Sequence, residues 1–416
     1  MGSSIVSNVL LINVSGEDQP GVTNVVTEAL ARFGVTLLDI GQAVIHDQLN
    51  MGILVLVPSN VSIDDVTSEV LNALDRLNMQ GIFLPISNER YENWVSLQGK
   101  PRHIVTLLAR NLEASNLAAV TKVTAQQGLN IDKIVRLSGR ITLGHTDSVG
   151  QACIELSARG KPKSADDLRQ SLLKLAGKQN IDIAYQEDNI FRRSRQLVVF
   201  DMDSTLIDAE VIDELADEAG VGEQVAAITE AAMRGEVDFK QSFVERLALL
   251  EGLNESVLDT VAKRLRLNDG AEYLLKSLKQ LGFKTAIVSG GFTFFARHLQ
   301  KRLGVDYIYA NELDIAKGVV TGKVLGEIID GQRKAEIVVE ISNQLGLSLE
   351  QVITVGDGAN DLPMLNIAGL GVAFRAKPLV KASAKQAISN VGLDGILYLL
   401  GYSDKDIVNL HKDTLV

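Results

Sequence analysis

Hydrophobic and polar positions follow the same order twice in the first part of the chain. Each time, a strand-like run is followed by a helix-like run, two strand-like runs, a second helix-like run and a last strand-like run. The first copy starts with NVLLINVSG and TNVVTEALARFG, and the second with HIVTLLAR and NLAAVTKVTAQQG. This β-α-β-β-α-β order predicts a duplicated ferredoxin-like unit. The segment between the copies, NERYENWVSLQGKPR, is polar and is predicted to be a connector.

The pattern changes near residue 196, where apolar strand-like runs begin to alternate with helix-like segments. These runs are QLVVF, KTAIVSGG, YIYANEL, VITVGDGAND and GLGVAF. Strands buried on both faces give continuous apolar runs, so the alternation predicts a parallel sheet with helices on both faces. Residues about 209–268 are helix-like, which predicts a helical insert after the first strand. We expect an α/β protein with domains at 1–98, 99–190 and 191–416.

Length, charge and cysteine content limit the classes of function. The chain has 416 residues, a net charge of −11 and 46% hydrophobic residues, as in ordinary soluble globular proteins of several domains. This charge argues against broad binding to nucleic acid or anionic membranes. Cys153 is the only cysteine, the first residues lack a signal-peptide pattern, and no apolar run is long enough to span a membrane. We therefore expect a cytoplasmic protein with neither a nucleic-acid nor a membrane partner.

Chemically active side chains collect at the predicted carboxyl ends of three strands of the parallel sheet. They are Asp201, Asp203, Ser289, Gly290, Asp357, Asn360 and Asp361, with Lys334 lying between the last two strand ends in sequence. In open parallel sheets the active site lies beyond these ends. Each signal alone has an ordinary structural explanation, such as a loop acid pair, a tight turn or a surface lysine. Their occurrence in order within one domain favours a functional site.

This set of side chains suits phosphoryl transfer. An ionised Asp201 can attack phosphorus and form an aspartyl-phosphate. Asp203 lies two positions later, where it can protonate the leaving oxygen and then activate water. Asp201 and Asp357 supply the hard oxygen ligands that Mg²⁺ prefers. The Ser289 hydroxyl, the backbone amide that follows it and the Lys334 ammonium can neutralise charge on the transferred group.

Four motifs resemble those of the haloacid dehalogenase superfamily: DMDSTLID, SGG, Lys334 and GDGAND. Over most of residues 196–400 the sequence is similar to the phosphoserine phosphatases within it. The resemblance implies a Rossmann-like haloacid dehalogenase core with a helical cap at about 209–268. It also implies Mg²⁺ on Asp201, Asp357 and the Asp203 carbonyl, with Asp361 supporting the metal site. In the same pattern, phosphate binding is assigned to Ser289, Gly290, Lys334 and Asn360.

The resemblance also assigns substrate contacts to the cap. Glu210 resembles the family's partner for the substrate ammonium, and Arg246 resembles its partner for the substrate carboxylate. A guanidinium has the fork geometry suited to a carboxylate. Met233 and Phe239 are expected to wall the pocket and exclude water. Without the resemblance, Glu210 and Arg246 would read as exposed helix charges.

The two N-terminal copies resemble ACT domains, which are small amino-acid-binding regulatory modules. GEDQPGV in the first copy matches the turn after the first strand, and it contains Asp18 and Gly21. Glycine there lets backbone amides approach a ligand carboxylate at a helix N-terminus. The second copy reads ARNLEASNL and lacks the Pro-Gly pair. ACT domains commonly pair across chains, so we expect a homodimer with serine as the effector of the first copy.

The sequence therefore predicts a Mg²⁺-dependent enzyme that hydrolyses O-phospho-L-serine to L-serine and phosphate, the last step of serine biosynthesis. One alternative is a phosphatase for another small phosphorylated amino acid or metabolite. Another is an amino-acid sensor with secondary phosphatase activity, although Asp201, Asp203, Lys334 and Asp357 are all present. A phosphomutase is disfavoured, because Glu210 and Arg246 suit a free amino acid better than a sugar.

Overall fold

The structure is a computed structural model that describes residues 8–140, 151–233 and 236–412. It divides into two compact units, Met1–Lys100 and Pro101–Val416. In the described ranges, every helix is too short or too polar to cross a lipid bilayer.

The first unit is one ferredoxin-like domain followed by a short helix. Its elements are β1 (Val9–Glu17), α1 (Val22–Ala31), β2 (Thr36–Ile45), β3 (Gln48–Leu56), α2 (Ile63–Asp75), β4 (Gln80–Ile86) and α3 (Asn88–Ser96). The sheet has the order β2-β3-β1-β4, and all of its neighbours pair antiparallel. Alternate side chains of β1 and β3 are buried beneath α1 and α2, which forms the core.

The predicted connector between the two copies is partly a helix. α3 occupies residues 88–96, and the Ser87 side chain caps it by accepting a hydrogen bond from the Arg90 backbone N–H at 3.2 Å. Ser87 is a favourable N-cap residue, which accounts for the start of the helix at this point. This helix lies within the predicted connector and was not itself predicted from the sequence.

The second unit begins with a domain of the same βαββαβ order. Its elements are β5 (Arg102–Ala109), α4 (Ala114–Gln126), β6 (Asn130–Arg136), β7 (Ala152–Arg159), α5 (Ala165–Gln179) and β8 (Asp182–Glu187). The sheet order is β6-β7-β5-β8, which repeats the arrangement of the first domain. The internal duplication predicted from the sequence is confirmed.

The remainder of the second unit is built on a seven-stranded sheet with the order β12-β11-β10-β9-β13-β14-β15. The strands are β9 (Leu197–Phe200), β10 (Lys284–Phe292), β11 (Tyr307–Ala316), β12 (Val319–Leu325), β13 (Val352–Gly356), β14 (Leu370–Phe374) and β15 (Gln386–Ile388). All neighbours pair in parallel except β11 and β12, which form an antiparallel hairpin. The predicted parallel sheet is confirmed, while the antiparallel β12 and the short β15 were not predicted.

The helices of this part cover the sheet and form the cap. They are α6 (Val211–Ala219), α7 (Gly222–Met233), α8 (Phe239–Ala248), α9 (Ser256–Arg264), α10 (Ala271–Gln280), α11 (Thr293–Leu303), α12 (Gly331–Gln344), α13 (Leu362–Ile367), α14 (Pro378–Ser383), α15 (Gly395–Leu399) and α16 (Asp404–Lys412). α6 to α9 follow β9 without an intervening strand, as the sequence predicts for a helical cap. The Rossmann-like core with a helical cap is confirmed.

The second ferredoxin-like domain and the large sheet meet edge to edge, at β8 and β15. The Gln386 side chain accepts from the Tyr185 backbone N–H at 2.8 Å and donates to the Tyr185 carbonyl. The Asp182 carboxylate accepts from the backbone N–H groups of Ser389 and Asn390, each at 2.8 Å. Side chains thus take the place of a strand ladder, and they satisfy polar groups that an exposed sheet edge would leave unpaired.

Candidate active site

The candidate nucleophile lies where three parallel strands end side by side. β9 pairs in parallel with both β10 and β13. Asp201 follows β9 directly, and its backbone N–H donates to the Val355 carbonyl of β13 at 2.8 Å. Ser289 lies near the end of β10, and Asp357 follows β13. The sheet therefore brings together groups that are far apart in the sequence.

Lys334 is fully buried between two carboxylates. Its Nζ lies 2.8 Å from Asp201 Oδ2 and 2.7 Å from Asp361 Oδ1. Burial opposes its charge, but Asp201 and Asp361 outweigh this and raise the pKa of Lys334 above its usual value. Lys334 is therefore a fixed cation beside the candidate nucleophile.

Three carboxylates form an acidic cluster at the strand ends. Oxygens of Asp201, Asp357 and Asp361 lie within 4.8 Å of one another. Burial, then the charge of Asp361, raises the pKa of Asp201 to about 8, although Lys334 opposes this. Burial and Asp361 likewise raise the pKa of Asp357 to about 7. One lysine leaves negative charge in excess, and hard oxygen donors at this spacing fit a divalent cation such as Mg²⁺.

Asp203 stands in a tight turn, Met202–Leu206, next to the acidic cluster. Its Oδ1 accepts a long hydrogen bond, 3.4 Å, from the Val211 backbone N–H. Burial, Glu210 and Asp201, in that order, raise the pKa of Asp203 well above its usual value. A Cβ at Gly291 would come within 2.6 Å of Asp203 Oδ2, so glycine leaves the space that this carboxyl occupies. A carboxyl whose pKa is raised holds its proton more readily, which suits general acid catalysis.

The candidate phosphate-binding groups lie around the same strand ends. Ser289 is buried, and its Oγ accepts from the Gly291 backbone N–H at 2.9 Å. A Cβ at Gly290 would lie 3.4 Å from both the Ile329 carbonyl and the Phe239 ring, so this backbone is closely covered. Asn360 is half-buried in the 3₁₀ turn Ala359–Asp361, next to Asp361.

Two further residues of the site were missed by the sequence interpretation. Thr205 is fully buried, and its Oγ1 donates to Asp357 Oδ1 at 2.8 Å. Ser204 has a left-handed backbone with φ of 54°, and its Oγ donates to Glu210 Oε1 at 2.7 Å. Both belong to the DMDSTLID motif, where the hydroxyls directly after the acid pair were the available signal.

Comparison with known families identifies the domains of the chain. Residues 196–369 match the haloacid dehalogenase-like hydrolases, and residues 8–83 and 101–186 each match an ACT domain. A phosphoserine phosphatase of Mycobacterium tuberculosis is 39% identical over 403 residues, which cover 96% of this chain and 94% of the relative. One of Streptomyces coelicolor is 39% identical over 410 residues, covering 98% and 96%. The chain belongs to the phosphoserine phosphatase family.

Two solved structures of related proteins resemble the structure of this chain. A haloacid dehalogenase family hydrolase of Salmonella enterica matches with a TM-score of 0.61 and 30% identity, over 71% of this chain and 98% of that one. A probable phosphoserine phosphatase of Vibrio cholerae matches with a TM-score of 0.55 and 31% identity, over 74% and 88%.

The cap brings two opposite charges to the site of this phosphoserine phosphatase family member. Glu210 precedes α6, and Arg246 lies on α8, where its Nε donates to the Ser242 carbonyl at 3.3 Å. Burial lowers the pKa of Arg246, while Asp213, Glu210 and Asp203 oppose that change. The guanidinium therefore lies within the electrostatic reach of the acidic groups at the candidate site.

Phe239 starts α8 and lies above the Gly290 backbone. Its ring stacks on Phe243 with centroids 6.3 Å apart, and Phe243 lies 6.0 Å from Phe292 at the end of β10. Met233 ends α7, and its side chain lies outside the described part of the structure. An aromatic stack therefore joins the cap to the candidate phosphate site.

The candidate regulatory turn lies in the first ACT domain. Gly21 is the residue before α1 and has φ of 99°, a conformation that favours glycine. Asp18 is exposed, and its backbone N–H donates to the Asp47 carbonyl at 2.7 Å. Because a side chain at position 21 would strain the backbone wherever it pointed, Asp18 is the cleaner position for a test.

Proposed function

We propose that this protein hydrolyses O-phospho-L-serine to L-serine and phosphate, as the last step of serine biosynthesis. The observation that carries the proposal is the pairing of Asp201 with the buried Lys334 under a cap that presents Glu210 and Arg246. A phosphate, an ammonium and a carboxylate are the three charged groups of the substrate. The site offers a counter-charge for each of them.

In the proposed reaction, a carboxylate oxygen of Asp201 attacks phosphorus, and the bond from phosphorus to the serine oxygen breaks. Asp203 gives its proton to that leaving oxygen. The raised pKa of Asp203 favours this step, because the carboxyl must carry a proton before it can donate one. Asp203 then takes a proton from water as the water attacks the phosphoryl group. Asp201 is released, and phosphate leaves. Ser289, the Gly290 amide and Lys334 stabilise the charge on the transferred group, with Asn360 beside it.

Mg²⁺ is the proposed cofactor, held by the carboxylates of Asp201 and Asp357 and the carbonyl of Asp203, with Asp361 in support. The excess negative charge of the acidic cluster supports this assignment. When bound, Mg²⁺ would neutralise phosphate oxygens and lower the repulsion between them and the Asp201 carboxylate.

Without a divalent cation, the protein should become less stable as the pH rises from about 6 to about 8.5. The pKa values of Asp201, about 8, and Asp357, about 7, lie above the usual 3.8, so the folded state binds more protons than the unfolded state. Stability is then highest below the unfolded pKa and is lost as the pH rises through the folded pKa. The raised pKa of Lys334 acts only at higher pH.

Thermal unfolding in a chelator and in Mg²⁺ measures this effect. Mg²⁺ should raise the melting temperature more at about pH 8.5 than at about pH 6, because deprotonated carboxylates bind the ion. A shift that is absent, or the same at both pH values, would contradict the proposed metal site.

Arg246→Ala should impair hydrolysis of phosphoserine far more than hydrolysis of an aryl phosphate, because only phosphoserine presents a carboxylate. Losing a buried, charged hydrogen bond costs about 2–5 kcal/mol of transition-state stabilisation, which is measured as a fall in kcat/KM. The matched control is Arg264→Ala, which removes an exposed cap arginine paired with Glu214 and Glu218. Equal losses on both substrates would give Arg246 a structural role and weaken the substrate assignment.

The ACT domains support two further proposals, a homodimer and an amino-acid effector. β2 is an edge strand whose apolar side chains Leu37, Ile40 and Ile45 are exposed. A long apolar edge is a surface on which a second copy could pair.

We place the domain limits near residues 98 and 190, next to the ACT matches at 8–83 and 101–186. The buried thiol of Cys153, the only cysteine in the chain, suits the cytoplasm.

Serine should inhibit the full-length protein at the turn that contains Asp18 and Gly21, away from the catalytic pocket. Asp18→Ala should weaken this inhibition and leave turnover without serine unchanged, because Asp18 is exposed. A serine titration of both proteins tests this, with light scattering to measure the mass in solution. Purely competitive inhibition that Asp18→Ala leaves intact would place serine in the catalytic pocket alone, and a monomeric mass would contradict the dimer.

A further inference from the structure

The turn that carries Asp203 is held from its far side by one buried asparagine. Asn268 Nδ2 donates to the carbonyls of Ser204 at 3.2 Å, Thr205 at 2.9 Å and Ile207 at 3.1 Å. Asn268 is 5% exposed, and its bonds to the Thr205 and Ile207 carbonyls are buried, while its bond to the Ser204 carbonyl is partly buried. A buried carbonyl that loses its donor is costly, and one amide group serves all three here.

Asn268 has a definite orientation because Arg375 fixes its oxygen. Arg375 NH1 donates to Asn268 Oδ1 at 3.2 Å, and Arg375 NH2 donates to Asp269 Oδ2 at 2.6 Å. A guanidinium is a donor only, so the amide oxygen must face Arg375 and the amide nitrogen must face the turn. The Arg375 guanidinium is itself held over the Phe374 ring, 5.2 Å from its centroid.

The backbone around Asp203 needs this support. The turn lacks a regular helical pattern: Asp203 has a ψ of 138°, and Ser204 has a left-handed φ of 54°. Asp203 itself accepts the long bond from Val211 at 3.4 Å. The position of its carboxyl is therefore set by the backbone of its own turn, and a strained conformation persists when its surroundings fix it.

Asn268 also stands at the return from the cap to the core. Its backbone N–H donates to the Leu206 carbonyl at 2.9 Å, beside the antiparallel bridge between Ile207 and Leu267. The two chain segments that connect cap and core are thus paired next to the catalytic turn. A residue in this place could serve only to join the segments, so the test must separate that role from an effect on Asp203.

We propose that Asn268 is a positioning residue for proton transfer: its side-chain amide holds the Asp203 turn in the geometry that protonates the leaving oxygen, and Arg375 orients that amide. The proposal rests on the proposed phosphatase reaction. Asn268→Asp keeps the shape of the side chain but turns an oxygen toward three carbonyls, which removes two donors and adds repulsion. The turn should then move, and Asp203 with it.

The test compares two substrates that differ in their need for a proton. Serine is a poor leaving group that needs protonation, whereas 4-nitrophenolate leaves without it. In rapid acid-quench experiments, Asn268→Asp should slow formation of the aspartyl-phosphate from phosphoserine by about 100-fold, since a displacement of about 1 Å can have that effect. From 4-nitrophenyl phosphate, the loss should stay below about threefold, and KM for phosphoserine should change little.

Asn343→Asp is the matched control, because it adds the same charge at an exposed position of α12. Equal losses on the two substrates, or normal rates on both, would overturn the positioning role. If Asn268→Asp does not fold, Arg375→Gln is the variant to test, since it leaves the Asn268 amide in place but frees its orientation. A slower rate with phosphoserine alone supports the proposal. An unchanged rate with phosphoserine overturns it. Wild-type protein that does not hydrolyse phosphoserine would instead overturn the proposed function.

Discussion

Asp201→Asn should reduce turnover of phosphoserine by about 10⁴-fold or more, because an amide cannot attack phosphorus and no aspartyl-phosphate can form. The variant should fold at least as well as the wild type near neutral pH. The wild-type carboxyl is buried near Asp361 and Asp357, and burial raises its pKa to about 8, so its ionised form is disfavoured in the folded protein. Steady-state kinetics, acid-quench labelling and thermal unfolding measure the three consequences.

The matched control for this substitution is Asp306→Asn, which changes a carboxylate at the opposite end of β10 that is bound to Lys284 at 3.0 Å. That variant should keep its turnover, since Asp306 precedes β11 and lies away from the strand ends that carry the site. Near-normal turnover in Asp201→Asn, or a phosphorylated protein that survives the substitution, would remove Asp201 from the role of nucleophile.

Lys334→Met should both unfold more easily and lose activity. Two carboxylates, Asp201 and Asp361, would remain buried without their shared cation, and breaking such a buried pair costs about 3–5 kcal/mol. Turnover should fall by about 10²-fold or more, because the phosphate would also lose a fixed positive charge. Urea unfolding and steady-state kinetics measure the two losses.

Lys284→Met is the control, because Lys284 is half exposed and pairs with Asp306 at 3.0 Å. A solvent-exposed ion pair contributes little to stability. The destabilisation in Lys334→Met should shrink as the pH falls below about 8, since Asp201, whose pKa is about 8, then takes up a proton. A loss of stability no larger than that of the control would mean that the buried lysine does not offset the charge of its two neighbours.

Much of the site was predictable because parallel strands obey a simple rule. Apolar runs buried on both faces revealed the strands, and the carboxyl ends of parallel strands face one edge, so Asp201, Ser289 and Asp357 were expected to converge. The antiparallel β12 was not predicted, because only Lys317 and Gly318 separate it from β11. The apolar residues on either side of this short turn were not recognised as two strands. β15 has only three residues, too few for a periodic signal.

Contacts between distant segments explain the rest of what was missed. Asn268 is 63 residues from Thr205 in the sequence, and a lone asparagine after a helix reads as an ordinary turn residue. The hydrogen bond from Thr205 to Asp357 joins residues that are 152 positions apart in the sequence. Local patterns predict elements and strand ends, but the partner of a polar side chain depends on which loops the completed sheet places together.

The edge-to-edge contact of β8 and β15 gives the second ACT domain a role in folding that is independent of any ligand. Gln386 and Asp182 bind across this contact to backbone groups, so neither edge can be completed while the other domain is unfolded. β14 of the catalytic domain pairs with one edge of β15, and the second ACT domain covers the other edge. In a shortened chain that starts near residue 191, the outer edge of β15 would be exposed to other protein molecules. We expect such a chain to aggregate at that edge.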